Sequence, residues 1–200
     1  MINDTLSGYR LILASQSPRR RQLMEELGIE FEVVIKDYDE TIPEGLRGEE
    51  IAFYLASHKA DSFRGKISEH EIVITADTIV WCDGEVLGKP VDSEDAVRIL
   101  KAISGKTHEV ITAVSICCAS SQKTFSDTTR VTFDSLSEKE IEYYVESFKP
   151  YDKAGAYGIQ EWIGLIGCSS IEGSYFNVVG LPVQKLYREL EQFLAGLSKK

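Results

Sequence analysis

A strand-to-helix junction near the N-terminus carries the strongest chemical signal in the sequence. Residues 11–27 read LILASQSPRRRQLMEEL, in which an apolar run ends at Ser15 and Ser17, and three arginines (residues 19–21) follow Pro18. Serine hydroxyls, guanidinium groups and the backbone N–H groups at a helix N-terminus all bind phosphate oxygens well. In a chain of net charge −10, this basic cluster predicts a site for an anion, with phosphate as the leading candidate.

Asp77 is the second signal, because it lies inside the run IVITADTIVW, which otherwise predicts a buried central strand. Burying an unpaired carboxylate is costly, so an aspartate here needs a cation, a hydrogen-bond network or an open cleft. The alternative is an aspartate that ends the strand and caps a turn. The strand pattern continues through Ile79 and Val80, so we favour a metal ligand or general base at Asp77.

Lys59 is the third signal. At 3.6 residues per turn, it falls within the apolar stripe that Ile51, Leu55 and Phe63 form on a predicted helix. A buried stem with its ammonium in water is one interpretation, and a functional cation is the other. The sequence alone favours neither.

Four further groups have chemistry that the sequence leaves open. Asp39 and Glu40 form an acidic pair that either binds Mg²⁺ or Mn²⁺ or lies in solvent. Lys89 and Lys153 either contact phosphate or are simply exposed. Gln160 follows a segment rich in small residues, and its amide could bind a nucleobase edge, because it both donates and accepts hydrogen bonds.

The elements that must position these residues alternate between strand and helix. Strands are predicted at residues 9–14, 31–36, 71–81, 107–119, 123–133, 163–166 and 169–171. Helices are predicted at residues 18–27, 48–63, 93–103, 137–148 and 182–197, with Ser93 and Ser137 as N-caps. Short turns between several strands favour an α/β fold with a mixed sheet.

Composition bounds the class of protein. A chain of 200 residues suits one large domain or two lobes that share a core. An isoelectric point of about 4.9 argues against general binding to nucleic-acid polymers. No apolar run predicts a membrane span or a signal peptide. The four cysteines form no C-x-x-C pair, which favours free thiols in a reducing cytoplasm.

An ordered set of motifs extends over most of the chain. The motifs are SQSPRR (15–20), ADTIV (76–80), GKP (88–90), SGKTH (104–108), DKAGAYGIQ (152–160), GSY (173–175) and VGLP (179–182). Together they closely resemble the Maf family of nucleoside triphosphate pyrophosphatases, over about residues 11–194. The resemblance implies one elongated, two-lobed α/β domain with a mixed sheet flanked by helices, similar to the inosine triphosphatase-like fold.

The resemblance also implies an activity and its requirements. Such an enzyme cleaves a nucleoside triphosphate to the monophosphate and pyrophosphate in the cytoplasm, as a homodimer. It uses a divalent cation, Mg²⁺ or Mn²⁺, which Glu40 and Asp77 would hold. The resemblance implies no membrane partner and no nucleic-acid polymer.

The family's functional positions fall on ten residues of this chain. Asp77 matches the proton acceptor. The other positions are Lys59 and Lys89 for catalysis, Ser15, Ser17, Arg19 and Arg20 for phosphate binding, Arg19, Thr78 and Gln160 for substrate choice, and Glu40 with Asp77 for the metal. Arg21 lies outside the matched motif, so we expect it at the surface.

Substrate choice follows from the same resemblance. Thr78 beside Asp77, together with Gln160, resembles the branch that acts on dTTP and UTP, and not the branch that acts on 7-methyl-GTP. Glu161 and Trp162 stand where many members carry glycine, which predicts an altered loop next to Gln160. Two alternatives stay open: hydrolysis of modified pyrimidine nucleotides, and a nucleotide-binding regulator of cell division and septum formation that needs no turnover.

Overall fold

The computed structural model describes residues 2–36, 38 and 41–197, without the side chains of Asn3 and Asp4. The strands in this part of the chain are β1 (Arg10–Leu13), β2 (Glu32–Val33), β3 (Glu71–Cys82), β4 (Glu85–Leu87), β5 (Thr107–Cys118), β6 (Ser121–Phe133) and β7 (Cys168–Glu172). The helices are α1 (Ile2–Leu6), α2 (Pro18–Glu26), α3 (Glu49–Asp61), α4 (Ser93–Ile103), α5 (Glu138–Phe148), α6 (Trp162–Gly167), α7 (Tyr175–Val179) and α8 (Val183–Leu197), and a 3₁₀ turn spans Ala154–Ala156.

The strands form one mixed sheet in the order β2-β1-β3-β5-β6-β7, with β4 paired to β3. Strand β1 runs parallel to β2 and to β3, and Leu13 lies opposite Val33 on one side and Ile74 on the other. The β3–β4 and β6–β7 pairs are antiparallel. The predicted α/β fold with a mixed sheet is therefore confirmed.

The chain divides into two compact units. The first comprises Met1–Asp77, Thr112–Asp127 and Gly180–Lys200, and the second comprises Thr78–Ile111 and Thr128–Val179. The division crosses β3 between Asp77 and Thr78, two residues that the sequence analysis assigned to the site. The two units are described separately below.

In the first unit, α3 lies against the central strands. Its apolar stripe ends at Ala60, which packs with Ile12, Phe63 and Val73. The buried hydroxyl of Thr75 donates a hydrogen bond of 2.7 Å to the carbonyl oxygen of Ala56, one turn before Lys59. This contact ties α3 to β3 where both approach the candidate site.

In the second unit, α4 packs against α5, and both cover an apolar core. Helix α5 begins with the predicted capping box, in which Ser137 and Glu140 each accept from the other's backbone N–H. Helix α4 is capped by Asp92, whose side chain accepts from the N–H of Asp95 at 2.8 Å. The prediction of Ser93 as this cap is wrong by one residue.

Two further predictions of secondary structure need correction, and two short helices were missed. Residues 163–166 were predicted as a strand but lie in helix α6, whose backbone begins with Gly164 and Leu165 donating to the carbonyl of Glu161. The strand predicted at 31–36 is reduced to Glu32–Val33. Helices α1 and α7 were missed, because five residues are too few to show a helical period.

Two expectations about the chain as a whole can be compared with the structure. The four cysteines are free thiols, three of them buried, as predicted. Among the described helices, none is long and apolar enough to cross a membrane.

Candidate active site

The loop between β1 and α2 places two serines at a helix N-terminus. Ser17 is the N-cap of α2, and its hydroxyl accepts from the backbone N–H of Arg20 at 3.4 Å. The hydroxyl of Ser15 accepts from the backbone N–H of Ser17 at 3.2 Å. Pro18 occupies the first turn, where its missing N–H costs no helical bond. This part of the loop is thereby fixed by its own local bonds.

Arg20 is held by backbone carbonyls of the first unit. Its Nε donates to the carbonyl of Gly180 at 2.8 Å, and its Nη1 donates to the carbonyl of Ala76 at 2.9 Å and to the hydroxyl of Ser15 at 3.4 Å. Burial lowers the pKa of Arg20, and the negative charge of Asp77 opposes that effect. The guanidinium therefore ties together the loop, β3 and the segment before α8.

The charge of Arg19 reinforces the positive field at this junction. Arg19 is half-buried, and its charge also lowers the pKa of Arg20. Arg21, in contrast, is exposed and pairs with Glu25 one turn later at 2.8 Å. The structure thus confirms Arg21 as a surface residue of α2.

Lys59 and Asp77 form the central ion pair of the first unit. The ammonium of Lys59 contacts Oδ2 of Asp77, and the two side chains are only 11% and 17% exposed. The same ammonium lies 3.4 Å from the carbonyl oxygen of Ala76 and 4.5 Å from the centre of the Tyr38 ring. The ammonium of Lys59 therefore does not extend into solvent, which argues against the interpretation of a buried stem with its charge in water.

The carbonyl of Ala76 is a shared acceptor that sequence analysis could not foresee. Arg20 and Lys59 both donate to it from different elements, directly beside Asp77. A carbonyl oxygen has two lone pairs and can accept both bonds. The side chains of Arg20 and Lys59 thereby bring two positive charges to two consecutive residues of β3, Ala76 and Asp77, the second of which carries the carboxylate.

The second unit contains Thr78, Lys89 and Gln160. Thr78 is half-buried, and Lys89 is exposed in the loop after β4. The carbonyl of Gly88 accepts from the N–H of Gly155 at 3.1 Å, which ties the lysine's loop to the 3₁₀ turn. Gly155 has a φ of +72°, and a Cβ there would lie 2.7 Å from a methyl of Val80, so only glycine fits.

Gln160 lies in a turn that several bonds hold. The N–H of Glu161 donates to the carbonyl of Gly158 at 2.9 Å, and the N–H of Gly158 donates to the hydroxyl of Tyr144 at 3.0 Å. The hydroxyl of Tyr144 donates to Oε2 of Glu161, and Lys153 lies 3.2 Å from Oε1 of that carboxylate. Sequence analysis noted Lys153 and Glu161 separately but missed Tyr144.

The donors for a divalent cation are only partly described. Glu40 and Asp39 lie outside the described residues. Among those described, no three His, Cys, Asp or Glu side chains cluster as a metal site. Lys59 contacts Oδ2 of Asp77, which leaves Oδ1 as the oxygen that could bind a cation. Because Mg²⁺ commonly binds one or two carboxylates and completes its shell with substrate phosphates and water, Asp77 fits such an ion.

Comparison with known proteins identifies strong relatives. The family model described as "Maf-like protein" matches residues 10–193. A protein of Phocaeicola vulgatus named dTTP/UTP pyrophosphatase is 53% identical over 94% of this chain and 98% of the relative. A Bacteroides fragilis protein with the same name is 52% identical over 94% of this chain and 97% of its own length.

Two solved structures show weaker likeness. The Staphylococcus aureus Ham1 protein gives a TM-score of 0.46, with 15% identity over 62% of this chain and 71% of that protein. The second is a protein of Mycobacterium abscessus described as a nucleoside-triphosphatase and dITP/XTP pyrophosphatase. Its TM-score is 0.41, with 14% identity over 95% of this chain and 96% of that protein. Because both TM-scores are below 0.5, the fold assignment rests on the sheet and helices described above.

Proposed function

This chain belongs to the Maf family, and on that premise we propose that it hydrolyses nucleoside triphosphates to the monophosphate and pyrophosphate, acting on dTTP and UTP. The observation that carries the proposal is the ion pair of Asp77 with Lys59, beside a carbonyl that Arg20 also binds. A carboxylate oriented by an ammonium in a mostly buried position suits a general base. The names of the curated relatives support the reaction and the substrates.

Asp77 is the proton acceptor in this mechanism. It takes a proton from a water molecule as the water oxygen forms a bond to the α-phosphorus. The bond between the α-phosphorus and the oxygen that bridges to the β-phosphorus breaks, and pyrophosphate leaves with that oxygen. Lys59 holds the carboxylate in place by its contact with Oδ2, so the base needs no reorganisation before reaction.

The remaining cations bind charge on the substrate. Arg19, Lys59 and Lys89 offset the negative charge of the triphosphate and of the departing pyrophosphate. Ser15 and Ser17 contribute hydroxyls at the start of α2. Arg20 has its donors committed to backbone carbonyls, so it binds phosphate only with the donor capacity that remains.

A divalent cation completes the proposal. We assign it to Asp77 and Glu40, as the family resemblance implies. Because Lys59 contacts Oδ2 of Asp77, the roles of ligand and proton acceptor would share the two lone pairs of Oδ1. Mg²⁺ or Mn²⁺ bound there would neutralise phosphate charge and polarise the phosphorus–oxygen bonds. Titrating activity against each metal after chelation tests this requirement and the choice of metal.

Thr78, Arg19 and Gln160 are proposed to select the nucleotide. A glutamine amide both donates and accepts, which matches the N3–H and carbonyl groups of uracil and thymine. A panel of canonical, 7-methylated and modified nucleotides tests this selection. Faster hydrolysis of 7-methyl-GTP than of UTP would contradict it.

The decisive experiment measures pyrophosphate release from UTP and dTTP by wild type and by Asp77→Asn. Loss of a positioned general base is expected to slow turnover about 100-fold or more. Asp83→Asn is the matched control, because Asp83 lies in the exposed turn that ends β3 and pairs only with Lys106 among the charged groups described. Turnover by Asp77→Asn within threefold of wild type would refute the assignment.

Assembly and location complete the proposal. We propose a cytoplasmic homodimer, which the family resemblance supports, and sedimentation of the purified protein tests the dimer. Tight binding of UTP in the presence of Mn²⁺ without release of pyrophosphate would favour the alternative, a nucleotide-binding regulator of cell division.

A further inference from the structure

The turn that carries Gln160 is closed by a backbone hydrogen bond and by the side chain of its last residue, Glu161. The backbone bond from Glu161 to Gly158 forms the turn, and the side chain of Glu161 folds back over its start. A Cβ on Gly158 would lie 2.8 Å from the carboxyl carbon of Glu161. Glycine at position 158 therefore allows this carboxylate to rest directly against the turn.

Tyr144 connects the two ends of this turn. Its hydroxyl accepts from the N–H of Gly158 and donates to Oε2 of Glu161, so one oxygen atom joins the first and the last residue of the turn. Tyr144 is fully buried on α5, and its ring stacks on that of Phe148. Burial, followed by the bond to Glu161, raises the pKa of Tyr144, so the hydroxyl stays a donor.

Lys153 holds the other oxygen of the same carboxylate. Its ammonium lies 3.2 Å from Oε1 of Glu161, and its side chain is only 9% exposed. It also pairs with Asp152 at 2.7 Å, but that carboxylate is half exposed. Glu161 is therefore the more buried counter-ion of a buried lysine, and it is the N-cap residue of α6 without capping the helix through its side chain.

Between these fixed points lies an exposed side chain. Ile159 is buried, Gln160 is exposed, and Glu161 is only 22% exposed. The amide of Gln160 can distinguish uracil from cytosine only when the backbone of the turn places it consistently against the edge of the base. Among the described residues of the turn itself, the backbone bond from Glu161 to Gly158 is the one hydrogen bond that holds its shape.

We infer that Glu161, held by Tyr144 and Lys153, is a positioning residue that sets the nucleobase preference through Gln160. This inference rests on the proposed function for the role of Gln160. It goes beyond that proposal because neither Glu161 nor Tyr144 touches the substrate in it. The buried carboxylate fixes the backbone from which the amide extends.

The test compares Tyr144→Phe and Glu161→Gln with wild type, using kcat and KM for UTP and for CTP. Each variant removes one hydroxyl or one charge and keeps the side chain's shape. The preference for UTP over CTP in kcat/KM is expected to fall about tenfold, mainly through KM for UTP, with kcat changed less than threefold. Tyr143→Phe is the matched control, because Tyr143 is the exposed neighbour of Tyr144 on the same helix.

A second measurement separates positioning from general structural support. In a Gln160→Ala background, Glu161→Gln is expected to change the UTP/CTP preference by less than twofold, because the residue through which it acts is absent. A merely structural role would lower Tm and reduce kcat for both nucleotides alike. Equal loss for both nucleotides, an unchanged preference, or additive effects with Gln160→Ala would each overturn the inference.

The outcome stays distinct from that of the proposed function. If wild type releases no pyrophosphate from any nucleotide, the proposed hydrolysis fails. The same preferences are then measured as dissociation constants for UTP and CTP, and the same variants decide the role of Glu161. If Tyr144→Phe does not fold, Glu161→Gln alone decides it, because this substitution leaves the buried ring of Tyr144 in place.

Discussion

Arg20 and Lys59 donate to the same carbonyl oxygen, that of Ala76, at 2.9 Å and 3.4 Å. The next residue along β3 is Asp77, which Lys59 also contacts. Two cations from two helices therefore fix the backbone and the side chain of consecutive residues. This relationship makes the position of the proposed base depend on Arg20 as well as on Lys59.

Replacing Arg20 by lysine is expected to uncouple this arrangement. A single ammonium cannot reproduce the planar fork that binds the carbonyls of Gly180 and Ala76. We expect a loss of about 2 kcal/mol in the free energy of unfolding and a 10- to 100-fold lower kcat. Denaturant titration and pyrophosphate release measure the two effects. For the control, Arg21→Lys, the free energy of unfolding should stay within about 0.5 kcal/mol of that of wild type. An equal effect of the two substitutions would contradict the argument.

Replacing Lys59 by methionine is expected to leave a mostly buried carboxylate without its partner. The free energy of unfolding should fall by about 2–3 kcal/mol, and the double variant with Asp77→Asn should recover most of that loss. Lys101→Met is the control, because Lys101 forms an exposed pair with Glu138 that contributes less than about 1 kcal/mol. If the double variant is no more stable than Lys59→Met, the two side chains are not coupled.

His108 is expected to make the second unit sensitive to acid. Burial lowers the pKa of His108 from 6.5 to about 4. Its Nε2 bonds to the hydroxyl of Tyr157 at 2.8 Å, and its buried Nδ1 has no partner within the described residues. As the pH falls, the unfolded chain binds the proton before the folded protein does. The free energy of unfolding is therefore unaffected by His108 above about pH 6.5, and it decreases by about 3 kcal/mol as the pH drops towards 4.

The measurement for His108 is the free energy of unfolding between pH 4 and pH 7, for wild type and for His108→Gln. Glutamine can keep the bond to Tyr157 but does not titrate, so the variant should show a flatter pH dependence. His70→Gln is the control at an exposed histidine. Parallel curves for wild type and His108→Gln would show that the buried imidazole does not cause the acid sensitivity.

Gly164 is expected to tolerate no side chain. A Cβ there would lie 1.9 Å from the carbonyl oxygen of Ile159, and this neighbour is backbone that cannot rotate away. Gly164→Ala should lower the free energy of unfolding by about 3 kcal/mol or more, or prevent folding. Thermal unfolding measures this loss. Gly196→Ala in helix α8 is the matched control, because a Cβ added there would have nothing within 4 Å. This substitution should raise the free energy of unfolding by about 0.5 kcal/mol. Similar effects at both glycines would contradict this account.

The same glycine explains one failure of the sequence analysis. Residues 163–166, within the run WIGLIG, were predicted as a strand, but a short apolar run cannot be told from a buried helix by its pattern alone. The close approach of Gly164 to the carbonyl of Ile159, five residues earlier, depends on how the chain bends into α6, and a hydrophobic pattern does not signal that bend. The capping box of Ser137, in contrast, was predicted correctly, because all of its bonds lie within four residues of sequence.

In the candidate site too, local patterns identified single residues, whereas contacts between residues distant in sequence were not predicted. Lys59 and Asp77 were noticed because each is polar where its own helix or strand predicts apolar residues. Their contact, 18 residues apart in sequence, needed the structure. Tyr144 gave no such signal, because a tyrosine on the apolar face of a helix is an ordinary core residue. The signal that could have led to it is Glu161, a charged residue where the resemblance predicts glycine.

The position of Trp162 gives the site an optical reporter. The chain has two tryptophans, Trp81 and Trp162. Trp162 follows Glu161 directly, and its ring packs edge-on against that of Tyr143, 4.8 Å between centroids. A Trp81→Phe protein therefore carries a single indole at the end of the turn that bears Gln160. If the base binds at Gln160 as proposed, the emission of this indole would report nucleotide binding without turnover, so binding and chemistry could be followed separately in one sample.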